Sequence, residues 1–153
     1  MKLLSRIFRM GNERSALRPE AISDLEDQTS FSSEEIRNHY KKFMKETGDS
    51  KMTLTSDQFV KLYSRIFPNG DAGAFAVHVF RTFDSDGNGE IDFREFMASL
   101  SVQNNGSLED KLNWLFGMYD IDDSGFISKG ELNEMVNVSK YQSIFTCKLL
   151  LLL

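Results

Sequence analysis

The chain has 153 residues, 41 % apolar and 27 % charged, with a net charge of −5, the balance of a globular protein built as one domain or two small lobes. The acidic sign argues against nucleic acid as a partner, which needs a basic face, and suits a cation binder. A single cysteine, Cys147, leaves no internal disulfide, and no run reaches the roughly 18 apolar residues of a membrane-spanning helix. A cytoplasmic protein fits these features.

The chain opens on Met1-Lys2-Leu3-Leu4-Ser5-Arg6-Ile7-Phe8-Arg9. Arg6 and Arg9 break what would be the apolar core of a signal peptide. Leu3, Leu4, Ile7 and Phe8 share one helical face beside Lys2, Arg6 and Arg9, so residues 1–15 form an N-terminal extension suited to an anionic membrane surface or to a frayed tail. Within it, Met10-Gly11-Asn12-Glu13-Arg14-Ser15 has the form of an N-myristoylation signal, usable only if translation starts at Met10.

Helix starts recur downstream. Ser32-Ser33-Glu34-Glu35 and Thr55-Ser56-Asp57-Gln58 read as capping boxes, and Ser107-Leu108-Glu109-Asp110 as a looser third. Between them run apolar residues at helical spacing: Ile36, Tyr40, Phe43; Phe59, Leu62, Tyr63; Phe75, Val79, Phe83; and Leu112, Leu115, Phe116, Tyr119. Pro68-Asn69-Gly70 separates two helices, and Gln103-Asn104-Asn105-Gly106-Ser107 is a polar linker.

A repeat decides the architecture. Asp84-Ser85-Asp86-Gly87-Asn88-Gly89-Glu90-Ile91-Asp92-Phe93-Arg94-Glu95 returns 36 residues later as Asp120-Ile121-Asp122-Asp123-Ser124-Gly125-Phe126-Ile127-Ser128-Lys129-Gly130-Glu131. Calcium, a hard cation, takes six to eight oxygens, and a twelve-residue EF-hand loop supplies them from positions 1, 3, 5, 7, 9 and 12. Here these are Asp84, Asp86, Asn88, the Glu90 carbonyl, Asp92 and Glu95, then Asp120, Asp122, Ser124, the Phe126 carbonyl, Ser128 and Glu131. Position 9 can act through a water in either loop. Gly89 and Gly125 fill position 6, where the chain turns sharply, and Ile91 and Ile127 fill the strand position that pairs with a neighbouring hand. Two calcium sites are expected. Four carboxylates against three make the Asp84 loop the tighter of the two.

Thr47 to Gln58 aligns as a ruined copy. Thr47 replaces the first carboxylate, Lys51 sets a cation at a ligand position, Met52 stands at the glycine position, and Gln58 lacks a bidentate carboxylate. Leu54 keeps the strand position, so this hand is expected to be a structural partner only. The next repeat from Asp120 would fall beyond Leu153, so no fourth loop is expected within these residues. The expected fold is all-α EF-hand repeats, with one complete pair over 16–102, an unpaired third hand over 107–140, and a divergent apolar tail over 141–153.

From about Met10 to Val138 the sequence resembles the neuronal calcium sensor family, the group of recoverin, visinin-like proteins and frequenin. The marks are Met10-Gly11-Asn12, Leu17-Arg18-Pro19-Glu20, His39-Tyr40-Lys41-Lys42-Phe43, Phe67-Pro68-Asn69-Gly70-Asp71, Phe75-Ala76-Val77-His78-Val79-Phe80-Arg81-Thr82-Phe83-Asp84, Lys111-Leu112-Asn113-Trp114 and Tyr119-Asp120-Ile121-Asp122. The resemblance implies a non-enzymatic calcium sensor. Calcium draws the position-12 glutamates inward and opens an apolar groove that grips an amphipathic helix of a target such as a kinase, channel, receptor or cyclase. By residue type the groove would be lined by Tyr40, Phe43, Phe59, Tyr63, Phe75, Phe80 and Phe96. A calcium buffer and a constitutive regulatory subunit are the alternatives. Peripheral membrane attachment through the N-terminus stays open.

The likeness stops after Val138, where a fourth hand's entering helix should begin. The third hand then lacks a partner, and its apolar face has three outlets: the tail folded back, a homodimer through paired third hands, or a chain end that is not the native one.

Overall fold

The computed structural model describes residues 17–47, 52–66 and 72–133. The N-terminal extension with Gly11, the Pro68-Asn69-Gly70 break, Asp49 and Lys51 of the ruined loop, the end of the third hand and the tail with Cys147 lie outside the described residues. Among those described, no helix is long and apolar enough to cross a membrane.

Helix α1 (Pro19–Gln28) starts with proline in its first turn and Glu20 beside it, where a missing N–H costs nothing and a negative charge meets the helix dipole. Its Ile22 and Leu25 are buried. Helix α2 (Ser33–Thr47) follows the first capping box, in which Ser32 N–H donates to Glu35 Oε2 at 2.8 Å and Glu35 N–H donates to Ser32 Oγ at 3.4 Å. Ile36 and Phe43, two turns apart, are the residues of α2 that go deepest into the core. Strand β1 (Thr53–Thr55) runs into α3 (Ser56–Ile66) through the second box, where Thr55 N–H donates to Gln58 Oε1 at 2.9 Å. Helix α4 (Ala72–Phe83), strand β2 (Glu90–Asp92) and helix α5 (Phe93–Asn105) make the second hand. Helix α6 (Leu108–Tyr119) enters the third behind the Ser107–Asp110 box, whose Asp110 N–H donates to Ser107 Oγ at 3.1 Å. The chain is helical again over 129–133.

The first two hands are joined back to back by a two-stranded antiparallel ladder. Leu54 faces Ile91 at its centre, with Thr53 opposite Asp92 and Thr55 opposite Glu90. Both central side chains are buried, so the ladder also closes the core.

Phenylalanine builds that core. Phe93 packs on Tyr40 and Phe43 with centroids 5.1 and 5.5 Å apart, and Phe43 meets Phe96 at 5.2 Å. Phe59 reaches Phe80 and Phe83 at 5.8 and 5.7 Å, and Phe83 reaches Trp114 at 6.3 Å. Tilted and edge-on contacts of this kind each add about 0.5–1.5 kcal/mol beyond area burial. Helix α5 threads through this cluster and is buried from Glu95 to Gln103. Phe43, Phe59, Tyr63, Phe75, Phe80 and Phe96 are core residues in this structure and Tyr40 is half-buried, so the expected groove is shut here. These rings touch one another across the helices, and a sequence pattern marks an apolar face without saying whether it is open or shut.

Candidate metal centre

Each complete loop begins where a helix runs out. Asp84 N–H donates to Phe80 O, and Asp120 N–H to Phe116 O, both at 2.8 Å. The carboxylates at position 1 then organise the turn. In the first loop Asp84 Oδ1 accepts from Asn88 N–H at 3.1 Å and Oδ2 from Gly89 N–H at 2.9 Å. In the second, Asp120 Oδ1 accepts from Ser124 N–H and Oδ2 from Gly125 N–H, both at 2.9 Å. Gly89 and Gly125 take φ of 84° and 82°, in the left-handed region that a side chain would strain.

Position 12 closes each loop. Glu95 Oε1 accepts from Ser85 N–H at 3.0 Å and Asp86 N–H at 3.4 Å, while Oε2 accepts from Asp92 N–H at 2.9 Å. Glu131 repeats this: Oε1 takes Ile121 N–H at 2.7 Å and Asp122 N–H at 3.4 Å, and Oε2 takes Ser128 N–H at 2.7 Å. As a result Asp84, Asp86 and Glu95 bring carboxylate oxygens within 4.8 Å of one another, and Asp120, Asp122 and Glu131 do the same. An all-oxygen, carboxylate-rich set suits a hard cation and calcium in particular.

The other expected ligands have defined places. Asn88 donates through Nδ2 to Asp86 Oδ2 at 2.9 Å, and its Oδ1 accepts from Glu90 N–H at 2.7 Å. Ser124 Oγ lies 3.1 Å from the Phe126 carbonyl and 3.4 Å from Asp120 Oδ1, which puts positions 1, 5 and 7 of that loop around one point. Position 9 is turned to a different task. Asp92 Oδ1 accepts from Glu95 N–H at 2.8 Å, and Ser128 Oγ from Glu131 N–H at 3.2 Å. With the reverse bonds from Glu95 and Glu131, these are capping boxes on the exiting helices, which fits ligation at position 9 through a water. The signal was in the sequence, since Asp92-x-x-Glu95 and Ser128-x-x-Glu131 are themselves the box pattern.

The two glutamates differ electrostatically. Burial pushes the Glu95 carboxyl up to about 7, and the nearby Asp92 and Asp86 charges add to that, against the lowering by backbone N–H donors. Glu131 is held down at about 2, chiefly by the Ser128 hydroxyl and N–H, with Ile121 and Asp122 N–H groups assisting. Asp84 is also raised, by burial first.

The ruined loop lacks the carboxylates of positions 1 and 12, and its described residues keep part of a hand's geometry. Met52 takes φ of 52° at the glycine position. Gln58, at position 12, accepts from Thr55 N–H and donates through Nε2 to the Thr47 carbonyl at 3.3 Å. Its amide therefore joins position 12 to position 1 directly.

Residues 76–101 and 115–136 match the family model described as EF hand. The chain is 41 % identical over 128 residues to recoverin of Homo sapiens, a match covering 83 % of this chain and 63 % of the relative. It is 39 % identical over 128 residues to S-modulin of Aquarana catesbeiana, covering 83 % and 62 %. Visinin of Gallus gallus is 36 % identical over 128 residues, with 83 % and 66 % covered. The chain thus spans slightly less than two thirds of the length of the curated relatives it matches.

Proposed function

The chain belongs to the neuronal calcium sensor family of EF-hand proteins, and from that premise we propose that it is a calcium-switched regulator without catalysis of its own. Calcium binds at two sites. Asp84, Asp86, Asn88, the Glu90 carbonyl and Glu95 form the first with Asp92 behind a water, and Asp120, Asp122, Ser124, the Phe126 carbonyl and Glu131 form the second with Ser128 in the same role. The observation that carries this reading is the inward turn of both position-12 glutamates, which join the acids of positions 1 and 3 in each loop.

What these residues do follows from their bonds. Glu95 ties the loop's first residues to the start of α5, so any change in its hold acts on a helix buried from Glu95 to Gln103. Phe93 and Phe96 ride on that helix against Phe43 and Phe83. Loosening those contacts is the route by which ion occupancy exposes apolar surface to an amphipathic helix of a target protein. A buffer is the second reading, favoured by the closed aromatic core. Retention of the chain on an apolar resin decides between them. The sensor reading expects retention in calcium and release in chelator, and equal elution in both overturns it.

A further inference from the structure

In the second hand, Phe80 packs on Phe59, Phe96 packs on Phe43, and Ile91 faces Leu54. Ala76 and Val79 are buried in the same core. Phe80, Phe96 and Ile91 thus lie on the side of the hand that the first hand covers, and Ala76 and Val79 belong to the buried core beside them. One repeat later stand Leu112, Leu115, Phe116, Ile127 and Leu132. These five are between 39 % and 56 % exposed. The third hand therefore presents the apolar surface with which the second hand meets its neighbour. Among the described residues, the sheet contains only β1 and β2, so residues 126–128 have no strand beside them there.

We propose that a second copy of this chain covers this face, with the two 126–128 segments paired antiparallel about a two-fold axis. The register comes from the intramolecular ladder, where position 8 faces position 8 and position 7 faces position 9. Identical strands in that register place Ile127 against the partner's Ile127, and Phe126 against the partner's Ser128. A contact in which each residue meets its mate reciprocally is closed by two-fold symmetry. Charge singles out this strand. The same self-pairing of β2 would set Glu90 against Asp92, two like charges facing across a ladder, whereas 126–128 carries no charge. A helix laid on the face would cover its side chains but offer no extended backbone to the strand edge, which a second copy does. The apolar area on offer, on the order of several hundred Å² per copy, approaches what one partner contributes to a stable interface.

Sedimentation velocity on the full chain across a concentration series tests this. The expected result is a species of twice the chain's mass. Because Ile127 meets its own copy on the axis, Ile127→Glu and Ile127→Lys should each sediment as monomers, and an equimolar mixture of the two should restore the dimer. Leu112→Lys, on an already exposed position, should also give a monomer. Circular dichroism and calcium binding at the Asp84 loop serve as fold controls, and the second of these keeps failure of the dimer distinct from failure of the calcium reading. A monomer at every concentration, species larger than a dimer, a dimer that survives Ile127→Glu, or a mixture that stays monomeric overturns the proposal.

Discussion

Gln58 Nε2 donates to the carbonyl of Thr47 across 3.3 Å, and this bond spans the first hand's loop from its last position to its first. In the other two loops the same two positions hold Glu95 with Asp84 and Glu131 with Asp120. A neutral amide can bond a carbonyl directly, whereas two carboxylates repel unless a cation lies between them. Replacing Gln58 by Glu should therefore destabilise the metal-free protein, by about 1 kcal/mol for the lost bond. It should create no calcium site, because Thr47 offers no carboxylate. Urea unfolding in chelator and calorimetry in calcium check the two parts.

Met52 carries a second trace of the repeated loop pattern. A non-glycine residue at φ of 52° bears a cost of about 1–2 kcal/mol that glycine avoids. Glycine also loses more chain entropy on folding, about 0.5–1 kcal/mol. Met52→Gly should thus raise stability by roughly 0.5–1 kcal/mol, read as a higher urea midpoint at unchanged slope.

Leu54 and Ile91 join the ruined hand, whose positions 1 and 12 carry no carboxylate, to one with a full set. Ile91→Ala removes buried methyl groups from the ladder's centre and should cost about 2–4 kcal/mol. It should also weaken calcium at the Asp84 loop, although its side chain is no ligand, because Glu90 and Asp92 flank it. Unchanged affinity in a destabilised variant would show that the ladder does not shape the site.

The glutamates predict opposite responses to pH. Glu95 lies at about 7, above its ordinary 4.5, so the metal-free fold favours its neutral form. The stability it contributes is full below about pH 4.5 and is lost as pH rises through 7. Calcium requires the carboxylate, so at pH 6 binding at the Asp84 loop should release nearly one proton, and at pH 8 almost none. Glu131 lies at about 2; its contribution is present above 4.5 and fades as pH falls toward 2, so it releases no proton at pH 6. Calorimetry at pH 6 in two buffers of different ionisation enthalpy should give different heats for the Asp84 site. Equal heats for that site would contradict the assignment.

Much of this was legible in the residues. The Ser32–Glu35, Thr55–Gln58 and Ser107–Asp110 boxes announced three helices because a cap is local chemistry, fixed within four residues. The acids at positions 1, 3 and 12 were legible for the same reason. What the sequence did not disclose depends on distant partners. Rings at helical spacing show that α2 and α4 have apolar faces, but only packing reveals that Phe96 of α5 bridges Phe43 of the one and Phe83 of the other. The left-handed backbone of Met52, one residue ahead of β1, runs against the residue's own preference and has no signal in its side chain.

The central claim is that calcium occupies two loops of unequal strength, and a calorimetric calcium titration of the full chain beside Glu95→Gln and Asp120→Ala tests it most directly. Two sites are expected in the parent. Glu95→Gln should remove the tighter and leave the weaker, and Asp120→Ala should do the reverse. A single site in the parent, or a tighter site that survives Glu95→Gln, would contradict the account.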